Sequence, residues 1–390
     1  MAAAPTMPVG GAFRRAWLPF LQEVGAADGT PLLPASLLDV PPLGFGTTDL
    51  TGPGIVEQPL QGAGGMHLRH EPVGAYMIRD AVVHGMFGIV TCGAFVLAES
   101  AVHFAPHRLP GADWPTEDVL RLPERPVTFS MPTAYHLLTC NQDNYFHWLL
   151  EGVSRFNAAE FRGFGVLGQV GEDPHLLIPP LDAPWKQQTV DLLVPPDVRR
   201  TVVPAGATVH VERLVYIREL AGGGMLPHRG LLQAFDRMRA AAYAALGAQP
   251  AVPSRRLFIS RADSSARVLV NEAEVWALAE AQGFERVVLS EIGVAEQVRL
   301  FAEATHVLAP HGAGLTNLLF CRPGTAVCEL QMDSYVHWTF RRLAALRGLT
   351  YGCIVGTHIP PLQRMNRRNT WRVDPALVAA VLADPRFIGG

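Results

Sequence analysis

Apolar and polar positions follow two different rhythms along this chain of 390 residues. From about Ala75 to Phe104, β-rich runs (Ala75 to Val83, Phe87 to Thr91, Ala94 to Ala98) are split by glycine and His-Gly, a pattern that predicts a meander. The 65 or so residues before it, and residues 105–130, are rich in proline and glycine with little periodicity. They predict irregular structure, with one short helix near Leu18 to Val24. Further on the rhythm changes. A helix is predicted from Asp143 to Phe161, a strand over His175 to Ile178, a helix over Trp185 to Leu193, strands over Arg200 to Val203 and Glu212 to Ile217, and a long helix from His228 to Leu246.

After a stretch with two prolines, Gly247 to Ser254, the alternation is cleaner. Strands at Arg256 to Ser260, Glu285 to Leu289, His306 to Ala309 and Ala326 to Leu330 interleave with helices at Asn271 to Gln282, Val294 to Ala304 and Leu315 to Phe320. One more helix is predicted near Asp374 to Leu382. Strand–helix alternation implies parallel sheets covered by helices, an α/β fold. The expected organisation is a domain over residues 1–250, with 1–130 as an irregular and β-rich lead-in and 131–250 as α/β, followed by a nucleotide-binding type of α/β domain over 251–390. The last helix is expected to pack back on the first domain.

Composition narrows the class. With 49% hydrophobic residues the chain can build real cores, and a mainly disordered protein is excluded. A net charge of -3 argues against a nucleic-acid binder and against a polybasic membrane anchor. The longest apolar stretches fall short of the roughly 20 residues of a spanning helix. The N-terminal residues lack the apolar core of a secretory signal. Five scattered cysteines without a CxxC pair support neither a zinc site nor a disulfide framework. These features lead us to expect a soluble cytoplasmic protein, with any membrane association peripheral and at the inner face. Among 32 basic residues there is one lysine, Lys186. Any bound anion must therefore be met by arginine forks, backbone amides or helix ends.

Four stretches carry candidate chemistry. His311-Gly312-Ala313-Gly314-Leu315-Thr316-Asn317 follows a predicted strand and opens a helix. Glycines there let backbone approach a ligand, and free N–H groups at the helix start favour an anion; the same corner can serve steric needs alone. Arg261 and Arg267, in the Ser-rich loop after another strand, can grip a diphosphate, or be solvated. Asp143, His147 and Glu151, spaced four apart, would share one helix face, as a general base with carboxylate neighbours or as a capped amphipathic helix. Glu329 interrupts the apolar strand Val327 to Leu330 and needs a partner, which could be ribose hydroxyls or a salt bridge within the fold.

Together, Phe146-His147-Trp148, Ser260-Arg261, Arg267, Asn271-Glu272, Glu296-Gln297, His311 to Asn317 with Phe320, Pro323-Gly324-Thr325 and Glu329 resemble glycosyltransferase family sixty-one. That family includes eukaryotic protein O-linked N-acetylglucosamine and plant xylan xylosyltransferases, with bacterial capsule-type relatives. The resemblance implies an inverting transferase of GT-B fold, two Rossmann-like domains facing across a cleft. It implies a nucleotide-sugar donor, commonly a UDP-sugar, held mainly by the second domain, and a glycan or other hydroxyl acceptor, as in bacterial surface or capsular polysaccharide synthesis. On this reading His147 is the base, with Glu151 or Asp143 orienting or replacing it. Arg261, Arg267, the 312–317 loop and Glu329 hold the donor. No DxD metal motif occurs, since Glu172-Asp173 and Asp263 stand alone, so no metal and no cofactor is expected. A nucleotide-sugar epimerase and a non-catalytic nucleotide- or glycan-binding subunit share these features.

Overall fold

A computed structural model of the chain describes residues 9–47, 64–102, 104–156, 175–222, 226–361 and 369–389. Residues 157–161 of the expected helix, Glu172-Asp173 and the glycines at 223 and 224 lie outside the described residues. The chain forms two compact units, one of Met1–Ala35 and Glu71–Gly222, the other of Ser36–His70 and Gly223–Gly390. Sequence reasoning placed the boundary near residue 250. In the structure the helix Gly230–Ala245 belongs to the second unit, because its apolar face packs there: Phe235 lies 4.8 Å, centroid to centroid, from Phe320.

The first unit is built on a mixed sheet of eleven strands among the described residues. Arg200–Val202, His175–Ile178, Phe129–His136 and Thr208–Ile217 run parallel at one end. Thr208–Ile217 pairs antiparallel with Val73–His84, which opens the meander expected there, through Ile89–Cys92 to Phe95–Leu97. Two stretches that sequence reasoning left irregular are strands: Val9–Ala16 with Ala27–Leu33, and Asp113–Thr116 with Val119–Arg125. Their prolines hid them. Pro31 and Pro115 sit on strands paired along one side, and Pro123 lies where the ladder shifts register, so none removes a needed bond. Ile78, Val83, Val209, Leu214 and Leu177 form the centre of the buried cluster on this sheet.

The second unit holds a six-stranded sheet in the order Glu285–Val288, Arg255–Ser260, Ala304–Pro310, Ala326–Met332, Thr350–His358, Trp371–Arg372, with the first five parallel. Read by chain position this is the order 2-1-3-4-5, a doubly wound sheet whose switch point falls between Arg255–Ser260 and Ala304–Pro310. Ala326–Met332 is buried along its whole length, as a central parallel strand should be. Helix Val294–Ala302 starts at Gly293 and buries Val294, Gln297, Val298 and Phe301, a helical stripe. The helix Thr339–Arg347 and the strand Thr350–His358 escaped sequence reasoning, because the helix buries Arg341, Arg342 and Arg347 where apolar residues are expected. Pro375–Leu382, expected to pack on the first domain, lies against Glu272–Glu280 of its own unit.

Candidate active site

In the first unit the chemistry-bearing segment follows the C-terminal end of the parallel strand Phe129–His136, the side on which ligands bind in open α/β sheets. Asn144 caps a short turn, its Oδ1 accepting from the Phe146 N–H at 2.9 Å. The expected single helix is three different turns in succession: Tyr145–His147 is α, Trp148–Gly152 is π, and Val153–Arg155 is 3-10. Widening of this kind is uncommon and recurs at functional sites. Trp148 fixes it from below, its indole N–H donating to Thr189 Oγ1 at 2.7 Å. Arg155 ties its end down, with Nη2 donating to Leu138 O at 2.6 Å.

His147 Nδ1 donates to Glu151 Oε1 at 2.7 Å. The Glu151 side chain is 1% exposed and that of His147 is 18% exposed. The carboxylate thus holds the ring by its inner nitrogen, an arrangement that in a neutral imidazole makes Nε2 the acceptor. Thr139 Oγ1 donates to the second Glu151 oxygen at 3.4 Å. Asp143 stands apart from this pair. It precedes the cap, is largely exposed, and accepts from Lys186 Nζ at 2.8 Å, as does Asp182. The shared helix face expected for Asp143 is absent because the helix starts after it. Sequence reasoning also missed Glu219, just past the end of Thr208–Ile217. Burial, and next the charge of Glu151, push its carboxyl up to about 8.

In the second unit the two predicted loops leave the two strands that flank the switch point. Arg261 follows Arg255–Ser260, and His311 follows Ala304–Pro310. They meet: a Cβ on Gly312 would stand 1.8 Å from Arg261 Nη1, so a side chain at 312 would force that guanidinium to move. Arg261 is set by Ser264 Oγ at 2.8 Å and Ala266 O at 3.0 Å, and its backbone N–H donates to Glu272 Oε2 at 3.0 Å. Burial and the neighbouring charge of Arg267 lower its pKa to about 10, which leaves it cationic at neutral pH. Arg267 lies 4.8 Å over the Tyr335 ring. A cavity of about 280 Å³ opens beside Arg261, lined in part by Ser264, Glu272, Trp276 and Arg286.

His311 Nδ1 donates to Glu329 Oε1 at 2.5 Å. Glu329 is fully buried, and its other oxygen accepts from the Tyr351 hydroxyl and, at 3.5 Å, from Gln331 Nε2. The His311 ring is walled by Tyr335, His337 and Phe340, at 5.5, 6.1 and 5.1 Å between centroids. Tyr335 therefore bridges Arg267 and His311. These rings lie in the run 333–340 that follows directly on the strand Ala326–Met332.

The rest of the glycine motif divides. Ala313 and Gly314 open the 3-10 helix Ala313–Phe320, where the first N–H groups lack acceptors within the helix. Leu315, Thr316 and Asn317 are buried. Thr316 Oγ1 donates to Ala313 O at 2.7 Å, and Asn317 Nδ2 to Gln297 Oε1 at 3.0 Å, with Gln297 in turn holding Leu289 O at 2.9 Å. Among the described residues no group of three or more His, Cys, Asp or Glu side chains could hold a metal ion. Among the same residues no helix is long and apolar enough to cross a membrane.

A family model described as Glycosyltransferase 61 matches residues 145–328 of the chain. The match takes in His147, Glu151, Arg261, Arg267 and the whole run from His311 to Asn317, and it stops one residue short of Glu329. No curated protein matches the chain.

Proposed function

Because the chain belongs to glycosyltransferase family 61, and so is an enzyme that transfers a sugar, we propose that it moves a glycosyl group from a nucleotide-sugar, a UDP-sugar in the first instance, to a hydroxyl of a glycan or similar acceptor with inversion at the anomeric carbon. The observation that carries this reading is the meeting of Arg261 and Gly312 at the switch point of the second unit's sheet. A strand order of this type binds nucleotides outside the carboxyl ends of its strands. Here those ends carry two arginines, a glycine loop and the start of a helix, all suited to a diphosphate.

In the proposed displacement the acceptor oxygen forms a bond to the anomeric carbon as the bond from that carbon to the diphosphate breaks. The acceptor proton passes to His147 Nε2, while Glu151 holds the opposite ring nitrogen and stabilises the resulting imidazolium. Negative charge builds on the leaving diphosphate. Arg261, Arg267 and the N–H groups of Ala313 and Gly314 are fixed donors that require little reorganisation as it develops. With cationic side chains in that role, the reading includes turnover without a metal. Glu329, Leu315, Thr316 and Asn317 act on this reading from within the protein, by holding His311 and the loop in place. A GT-B arrangement, a role in bacterial surface polysaccharide synthesis and a cytoplasmic location belong to the same reading. Support for the last is that all five cysteines are free thiols.

The test is a panel of nucleotide-sugars scored by thermal shift, followed by slow hydrolysis of the best binder without an acceptor. A UDP-sugar should stabilise the protein and release UDP. Interconversion of the sugar with no UDP release would assign an epimerase instead.

A further inference from the structure

A second basic site lies at the opposite pole of the same sheet. A cavity of about 800 Å³ is lined by Asp236, Arg239 and Tyr243 on the helix Gly230–Ala245, and by Ala302, Arg322 and Arg347. Ala302 lies two residues before the first residue of the strand Ala304–Pro310, Arg322 precedes Ala326–Met332, and Arg347 precedes Thr350–His358. All three therefore stand at the entry ends of parallel strands whose exit ends carry His311, Tyr335 and the glycine loop. A strand of seven residues separates the poles by roughly 20 Å at about 3.3 Å per residue. The cavity is lined by residues of the second unit only.

Its charge is unbalanced. Asp236 accepts from Arg347 Nη2 at 2.5 Å and lies 3.0 Å from Arg239 Nη2. Arg322 Nη2 donates to Ala251 O at 2.8 Å, and Arg347 Nε to Cys321 O at 2.8 Å. Glu303 receives the hydroxyl of Tyr243, a lining residue, at 3.4 Å, but is paired with Arg255 at 3.3 Å and Arg299 at 3.5 Å. Two guanidiniums, those of Arg239 and Arg347, thus share one carboxylate, and the third, Arg322, is held by a backbone carbonyl. Burial, and next the charge of Arg347, hold the Arg239 guanidinium below its usual range, with Arg322 adding to the effect. The rest of the wall is alanine, proline, the Tyr243 ring and one amide, Gln249.

We propose that this cavity is a second anion site, for a ligand bearing a phosphate group, with Arg239 and Arg322 contacting the phosphate and Arg347 held behind them by Asp236 and Cys321. The guanidinium excess matches a phosphate dianion, whose oxygens accept forked N–H pairs. The apolar wall takes whatever the phosphate is attached to. The site is independent of the donor assignment, because none of its residues belongs to the loops at the other pole. A free phosphorylated compound and a lipid phosphate headgroup share this chemistry.

The experiment uses the full chain and inorganic phosphate in calorimetry and thermal melts. Wild type and Arg261→Gln should both bind phosphate at this site and gain melting temperature. Arg239→Gln/Arg322→Gln should lose at least about tenfold in that affinity while keeping a cooperative melt without phosphate, because removal of like charges offsets part of the lost bonds to Asp236 and Ala251 O. Arg322→Gln alone, which keeps the Asp236 pairs, guards against misfolding of the double variant and should lose part of the affinity. Flotation with phosphatidylcholine vesicles, with and without phosphatidic acid, separates the sources. Recovery with phosphatidic acid that disappears in the double variant assigns a lipid headgroup. Phosphate binding with no vesicle recovery assigns a soluble ligand. Equal phosphate affinity in wild type and both variants, or loss of all phosphate binding in Arg261→Gln alone, overturns the proposal.

Discussion

His311 and Glu329 form a buried pair in which the carboxylate, with no exposure of its own, holds the ring nitrogen Nδ1 at 2.5 Å and is itself held by Tyr351. The pair lies across adjacent parallel strands, the histidine just past the end of Ala304–Pro310 and the glutamate at the middle of Ala326–Met332. Such an arrangement fixes both the tautomer and the angle of the ring, which follows the strand end where the diphosphate is proposed to bind. Glu329→Gln keeps the shape but presents an amide where the carboxylate was, so one of its partners loses a charge-assisted bond of about 1.5–3 kcal/mol. We expect UDP affinity to fall about tenfold or more, with a loss of several degrees in melting temperature. Tyr351→Phe should do less of each. Calorimetry with UDP checks both, and unchanged affinity in Glu329→Gln would show that His311 plays no part in donor binding.

Arg261 and Gly312 are coupled by contact, since any Cβ at 312 falls on the guanidinium. Gly312→Ala should therefore act by displacing Arg261, and its effect should resemble that of Arg261→Gln. Each single substitution is expected to weaken UDP binding by about 10- to 100-fold, consistent with a charge-assisted bond to phosphate. The double variant should be little worse than either alone, a non-additivity that a double-mutant cycle measures directly. Additive losses would mean that the glycine serves a different need, such as backbone approach to the ligand. Arg261→Lys should restore charge without the fork and recover only part of the affinity.

How much of this was legible before the structure depends on what each residue had to do. Most strands and helices of the second unit could be read because their apolar runs are broken at few positions, Glu329 among them, and the glycine loop and Arg261 because short polar and glycine residues directly follow a strand. The helix Thr339–Arg347 could not be read, since its buried arginines satisfy themselves on backbone carbonyls, as Arg347 does on Cys321 O, and not by being apolar. The strands around Pro31, Pro115 and Pro123 were hidden for a related reason: the bond each proline forgoes is one the ladder does not need there. At the site, the His147–Glu151 spacing was legible and the turn type was not. An i, i+4 pair meets in any helix-like turn, whereas Asp143 fell outside because Asn144 starts the helix one residue too late for it. Tyr335 and Tyr351 had no local signal strong enough to separate them from ordinary core aromatics.

His147 is proposed as the base, and Glu151 as the group that orients it, so the two should separate in kinetics. His147→Ala should lower kcat by about 10²–10⁴-fold, the range of general-base contributions, and leave UDP affinity unchanged because the donor loops are on the second unit. Glu151→Gln retains the imidazole and should cost less. Asp143→Asn, which touches only the Lys186 pair, should leave kcat near wild type and at most loosen the turn. Transfer assays with the donor found by the thermal-shift panel decide this. Near-normal turnover in His147→Ala sinks the base assignment, and a large loss in Asp143→Asn would return the role to that carboxylate.

Glu219 makes stability depend on pH in a defined direction. Burial and the charge of Glu151 raise its carboxyl from an ordinary 4.5 to about 8 in the folded protein. Between those two values the unfolded chain has released the proton and the folded chain has kept it, so the folded state binds more protons and stability falls as pH rises. The penalty is absent below about pH 4.5, grows through neutrality and levels off above about pH 8. Arg155, which opposes the shift, limits it but does not reverse its sign. Glu219→Gln removes the titration and keeps the shape. Its melting temperature should match wild type near pH 5 and exceed it progressively toward pH 9. Thermal melts of the two proteins at pH 5, 7 and 9 measure the difference. A gap that stays constant with pH would mean that Glu219 is ionised in the folded protein and that Arg155 fully compensates its burial.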